Sequence, residues 1–156
     1  MPVKSYVDIF SSLLTPVVAI LTVYIAWQQY QINNSSLKNA LYERRLKVFN
    51  AFISFVVDVV REGKTNYQRV SQFYTEANEA VFLFDYKVTN KLEELYQKGV
   101  DLVFLSEQLY PPDTSSGLPV GVERSETVQE QAALLRYFNE QIREIRELFK
   151  KQIKMK

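Results

Sequence analysis

The side chains able to do chemistry in this chain of 156 residues are carboxylates, hydroxyls and cations; histidine and cysteine are both absent. The usual neutral-pH general base, the thiol nucleophile and the ligands of structural zinc or iron–sulfur sites are therefore missing. Carboxylates do occur in close pairs, Glu76 with Glu79 and Glu93 with Glu94. A spacing of three can turn two acids the same way for acid–base work, but on an amphipathic helix such acids are ordinarily the solvated face. No glycine-rich phosphate loop, G-x-S-x-G turn or aspartate cluster of calcium-loop form occurs. The residues thus argue against an enzyme and call for no cofactor and no metal, with divalent binding at the acid pairs left open.

The cations suggest binding. A formal net charge of +1 argues against coating nucleic acid by bulk electrostatics, but local stripes remain. Arg44, Arg45 and Lys47 follow a long apolar run closely enough to meet anionic headgroups. Arg45 also projects towards the apolar side of its own helix, where a guanidinium needs a carboxylate or phosphate partner. On the last helix Arg136, Arg143, Arg146, Lys150 and Lys154 form a stripe beside the apolar face. Two readings stand: solvated decoration, or a rail for a polyanion in which some of the ten tyrosines and ten phenylalanines stack bases. Arg44, Arg45, Arg136, Arg143 and Lys150 are the polyanion candidates.

Hydroxyls and small residues cluster in the apolar run. From Ile9 to Trp27 the chain has 19 residues without a charge, and a helix of that length just crosses a hydrocarbon core of about 30 Å. The expectation is a transmembrane helix over 9–30, followed by cations on the cytoplasmic side, so that residues 1–8 lie outside and a domain over 41–156 lies inside. Tyr24, Trp27 and Tyr30 sit where an interfacial aromatic belt would. At 100° per residue, Asp8, Ser11, Ser12, Thr15, Ala19, Thr22, Ala26 and Gln29 share one stripe. Close packing of helices in an oligomer and a water-containing pore both account for that stripe, and both require self-association.

Residues 31–40 form a polar connector that either bends or continues the helix. Beyond it the apolar spacing predicts helices only. One covers 37–61, with Leu41, Phe49, Phe52, Ile53, Val56 and Val59 inward and Gly63 as its stop. A second begins near Thr65 or Asn66 and uses Val70, Phe73, Tyr74, Ala77 and Val81. A third starts after Thr89 and ends before Pro111-Pro112; the last starts at Ser125 or Thr127, the latter with Glu130 as a capping box. Residues 111–124 read as a loop. The fold class expected is all-α: an N-terminal transmembrane helix followed by a cytosolic antiparallel bundle of about four helices.

The segments LYERRLKVFNAFISF (41–55), EANEAVFLF (76–84), KLEELYQKGVDL (91–102) and GLPVG (117–121) resemble a family of small bacterial proteins with one membrane helix and a cytosolic helical domain. Where that family commonly has glycine after FLF, this chain has Asp85. The architecture also resembles the transmembrane effectors of Hailong anti-phage systems. That resemblance implies an oligomeric inner-membrane ion channel held shut by single-stranded DNA oligomers, which a partner nucleotidyltransferase makes. The rival expectation is a membrane-tethered scaffold or adaptor whose helix only anchors and oligomerises it. The expected partners are copies of itself, the lipid membrane, single-stranded DNA and that nucleotidyltransferase.

Overall fold

The computed structural model describes residues 3–111 and 117–153, apart from the side chains of residues 3–11, 13 and 15. All its elements among these residues are helices: α1 (Val3–Glu62), α2 (Tyr67–Ala77), the single turn α3 (Ala80–Leu83), α4 (Tyr86–Leu109) and α5 (Val122–Ile153). The chain divides into two units, Met1–Leu41 and Tyr42–Lys156. The connector at 31–40 is helical; α1 runs through it, and Ser35 Oγ donates back to the Gln31 carbonyl at 3.0 Å.

The second unit is an antiparallel bundle, and its pairings fix the register. Phe55 of α1 meets Phe73 of α2, while Arg69 reaches back to Asp58. Tyr74 of α2 donates to Glu93 of α4, and Val70 lies beside Gly99. Between α4 and α5 the contacts run from Ser106 with Gln131, through Glu94 with Tyr137, to Asp85 with Gln152. In each pair one number rises as the other falls, so neighbours are antiparallel. Short connections make that arrangement the natural one for consecutive helices.

Aromatic side chains hold the centre. Phe55 stacks on Phe73 at 4.3 Å between ring centroids, and Phe52 meets both Phe73 at 5.4 Å and Phe149 at 5.1 Å edge-on. Phe52, Phe55, Phe73 and Phe138 are fully buried, with Leu92, Leu95, Leu102 and Ile145 around them. Each such burial stabilises by about 1.5–3 kcal/mol relative to exposure.

Helix ends follow local chemistry. Gly63 takes φ +66°, the left-handed conformation that closes α1, and its N–H bonds the Val59 carbonyl. Asn66 caps α2 by accepting from Arg69 N–H at 2.8 Å. Asp85 caps α4, accepting from Lys87 and Val88 N–H with φ −75°, so no glycine conformation is required where the family resemblance would put one.

Several expectations need correction. Among the described residues no helix is long and apolar enough to cross a membrane. The side chains of Ile9, Phe10, Ser11, Leu13 and Thr15, the first part of the apolar run, lie outside the described residues. Beyond Trp27, Gln28, Gln29, Gln31, Asn33 and Asn34 dilute the helix. The transmembrane part of the expected fold is therefore set aside, and the all-α bundle stands. Leu41 and Val81, expected inward, are 45% and 48% exposed. The third expected helix begins at Tyr86 rather than after Thr89. Thr127 is no cap: α5 starts at Val122, and Thr127 Oγ1 donates to the Glu123 carbonyl within the helix.

Candidate functional site

Two sets of residues were singled out: the stripe on the first unit and the cations of the second. On the first unit, large apolar side chains surround the helix except along the stripe. Ile20 and Val23 are each 70% exposed, and Val17, Val18, Leu21, Tyr24, Ile25 and Trp27 are half or more exposed. Ala19, Thr22, Ala26 and Gln29 share the remaining face, all exposed. Ser12 is exposed as well, whereas the side chains of Asp8, Ser11 and Thr15 lie outside the described residues. Thr22 Oγ1 donates to the Val18 carbonyl at 2.7 Å. Its proton is committed to its own helix, so what Thr22 shows outward is a methyl group and an acceptor oxygen.

The five candidate cations do not form one surface. Arg45 is half-buried: its guanidinium donates to the Gln152 carbonyl at 3.2 Å and lies 5.7 Å from the Phe84 ring centroid. Gln152 is next to the last residue of α5, where unsatisfied carbonyls carry partial negative charge. The partner that the structure gives Arg45 is thus a carbonyl at a helix C-terminus. The Gln152 side chain in turn donates to Asp85 Oδ2 at 2.6 Å, tying the end of α5 to the start of α4. Arg45 Nε remains buried without a hydrogen-bond partner. Arg44 is exposed on α1.

Arg136, Arg143 and Lys150 recur every seven residues on the side of α5 opposite Phe138 and Ile145, and all three are exposed. Lys150 lies 3.8 Å from Glu147, a loose pair. For Arg136 and Arg143 no ion pair is seen among the described residues. The aromatic rings nearest in sequence do not complete a stacking platform: Phe138 is buried, and Tyr137 is held by Glu94.

Three of the four paired acids accept hydrogen bonds from neighbouring side chains. Glu93 accepts from the Tyr74 hydroxyl at 3.0 Å, which with the glutamate charge raises the tyrosine pKa. Glu94 accepts from the Tyr137 hydroxyl at 2.7 Å and pairs with Lys91 at 2.6 Å. Burial opposes ionisation of Glu94, but the bonds from Lys91 and Tyr137 and the charges of Lys91 and Lys98 outweigh it and hold the carboxyl below its ordinary value. Burial first, then Glu94, pushes the Tyr137 phenol far above the normal tyrosine range. Glu76 accepts from Gln72, and no group of three or more acids suited to a metal ion occurs among the described residues.

Sequence reasoning missed the best-bonded arginine. Arg69 donates to Asp58 Oδ2 through Nε at 3.2 Å and Nη2 at 2.9 Å, and to Ser54 Oγ, locking α2 onto α1. Its signal was faint, because Asp58 and Arg69 lie on different helices. No protein-family model, curated protein or solved structure matches the chain.

Proposed function

We propose that the protein is a homo-oligomeric effector or adaptor, in which the first unit is the assembly element and the bundle is the responding domain. The observation that carries this reading is the exposure of large apolar side chains around the helix between Leu14 and Ile32, on every side but the stripe. A continuous exposed apolar patch of this kind marks an association surface. The stripe of Ala19, Thr22 and Ala26 says how that association begins: small residues at heptad-like spacing let two backbones approach closely, while the larger side chains fill the outer layer. Copies of the same helix supply both surfaces at once.

The chain has no cysteine, so single cysteines report this arrangement cleanly. Ala19→Cys, Thr22→Cys and Ala26→Cys should form disulfide-linked dimers on mild oxidation of the full-length protein, faster than Leu21→Cys and Tyr24→Cys on the opposite face. Equal rates at all five positions would remove the stripe as the contact.

A second reading is favoured by Arg136 and Arg143, exposed and aligned on α5: a regulatory polyanion, such as single-stranded DNA, binds the bundle along that stripe. Arg136→Glu combined with Arg143→Glu should weaken binding of an oligodeoxynucleotide and flatten its salt dependence, because each phosphate neutralised contributes to the slope. An unchanged salt slope would discard it.

A further inference from the structure

An open groove of about 540 Å³ lies between α1 and α5 in the second unit. One wall is Tyr42, Leu46 and Phe49 of α1; the floor and the other wall are Arg146, Phe149, Lys150 and Ile153 of α5. The spacings of three, four and seven put each set on one helix face. Phe149 is 1% exposed and is held by Phe49 at 5.4 Å and Phe52 at 5.1 Å, so the floor is fixed by the core. The volume falls in the range of small-molecule sites.

The lining combines two chemistries and omits a third. Five residues are aromatic or aliphatic, two are cations, and no carboxylate is among them. Arg146 and Lys150 stand four apart on one helix, an arrangement in which like charges repel. For Arg146 no ion pair is seen among the described residues, and the contact of Lys150 with Glu147 at 3.8 Å joins two exposed side chains and contributes little. An anion set between the two cations would relieve their repulsion. A peptide strand is a poor occupant, because the apolar lining offers its backbone N–H groups almost no acceptor.

We propose that this groove binds a single-chain anionic amphiphile, a fatty acid or a monoalkyl phosphate. Its alkyl chain lies along Leu46, Phe49 and Phe149, and its head group sits between Arg146 and Lys150. Carboxylate and phosphate head groups share the required chemistry, a compact anion accepting charge-assisted hydrogen bonds from the guanidinium and the ammonium.

The test is calorimetric titration of the full-length protein with dodecanoate, dodecyl phosphate, dodecanol and dodecyltrimethylammonium, each below its micellar concentration. At least one of the two anions should bind with one site per chain, and the tighter of them names the head group. Dodecanol and the cation should bind at least tenfold more weakly. Decanoate should bind about fifteenfold more weakly than dodecanoate, since each of the two buried methylenes is worth roughly a factor of four. Arg146→Gln with Lys150→Gln, both on the surface, should weaken the anion at least tenfold with helicity unchanged. Leu46→Asn should weaken all chains together. Amphiphile that merely coats the exposed apolar residues of the first unit would ignore head-group charge and the double substitution. That result, or no binding of either anion, would overturn the proposal.

Discussion

Tyr137 and Glu94 show how a pair that could resemble acid–base machinery works as a clamp between α4 and α5. The phenol donates at 2.7 Å and is kept protonated; the carboxyl is kept ionised by that bond and by Lys91. The two shifts have opposite consequences for pH. Glu94 is depressed on folding, so its contribution is present above about pH 4.3, the unfolded carboxyl value, and is lost as pH falls through the lower folded value. Tyr137 is raised, so its contribution is complete below about pH 10 and is lost as pH climbs beyond it. Tyr137→Phe should therefore destabilise by about 0.5–1.5 kcal/mol at pH 7 in urea denaturation, and by less once the pH has fallen through the lowered Glu94 value. A loss independent of pH would show that ring packing, not the bond, carries the effect. Gly99 is a second test at this scale. A Cβ there would lie 3.0 Å from Phe55 Cζ and 3.1 Å from Val70 Cγ2, and the Phe55 ring is pinned on Phe73. Overpacking costs about 1–3 kcal/mol, and the helix preference of alanine over glycine returns up to about 1 kcal/mol. Gly99→Ala should therefore lower stability by about 1 kcal/mol, and a more stable variant would contradict the packing described.

At the scale of elements, the helix ends decide the architecture. Asp85 caps α4 and also receives the Gln152 side chain, so Asp85→Ala removes a cap and a tie between helices together. The expected loss is about 1–2 kcal/mol by thermal or urea unfolding, with Asp85→Asn retaining part of it. A loss confined to a few tenths would show that the cap is replaced by water. The same region shows what was legible beforehand. Gly63 as a stop and Asn66 as a start were readable because each is a local signal, one backbone conformation and one side-chain acceptor. The start of α4 was not. Thr89 has the capping side chain too, and only Asp85 stands where the chain leaves the extended conformation. Thr127 with Glu130 matched the capping-box spacing, but the helix had already begun at Val122, and the hydroxyl bonds its own preceding turn. Leu41 and Val81 kept the apolar period without a neighbour to cover them, since periodicity reports a face and not its partner. The partner of Arg45 was hidden for a related reason. Helical spacing placed Arg45 correctly on the inner face, but its partner is a carbonyl at the far end of the chain, which no local pattern announces. The groove beside Phe149 escaped notice because its two walls are more than ninety residues apart in sequence.

At the scale of the molecule, two units ask for different explanations. The bundle explains itself: its aromatic centre, its caps and its ion pairs close on one another. The first unit does not, because among the described residues its large apolar side chains are exposed. In the proposed assembly, other copies of the chain receive them. Replacing Ile20, Val23 and Ile25 with glutamine reduces the apolar surface without altering the bundle, since all three lie within Met1–Leu41. The most direct measurement is sedimentation equilibrium of the full-length protein and of this triple variant across a hundredfold range of concentration, under identical conditions. The account predicts a discrete multiple of the chain mass for the parent, dissociating on dilution, and a shift of at least tenfold towards monomer for the variant with its helicity retained. A parent that is monomeric throughout, or a variant that assembles as the parent does, would contradict it.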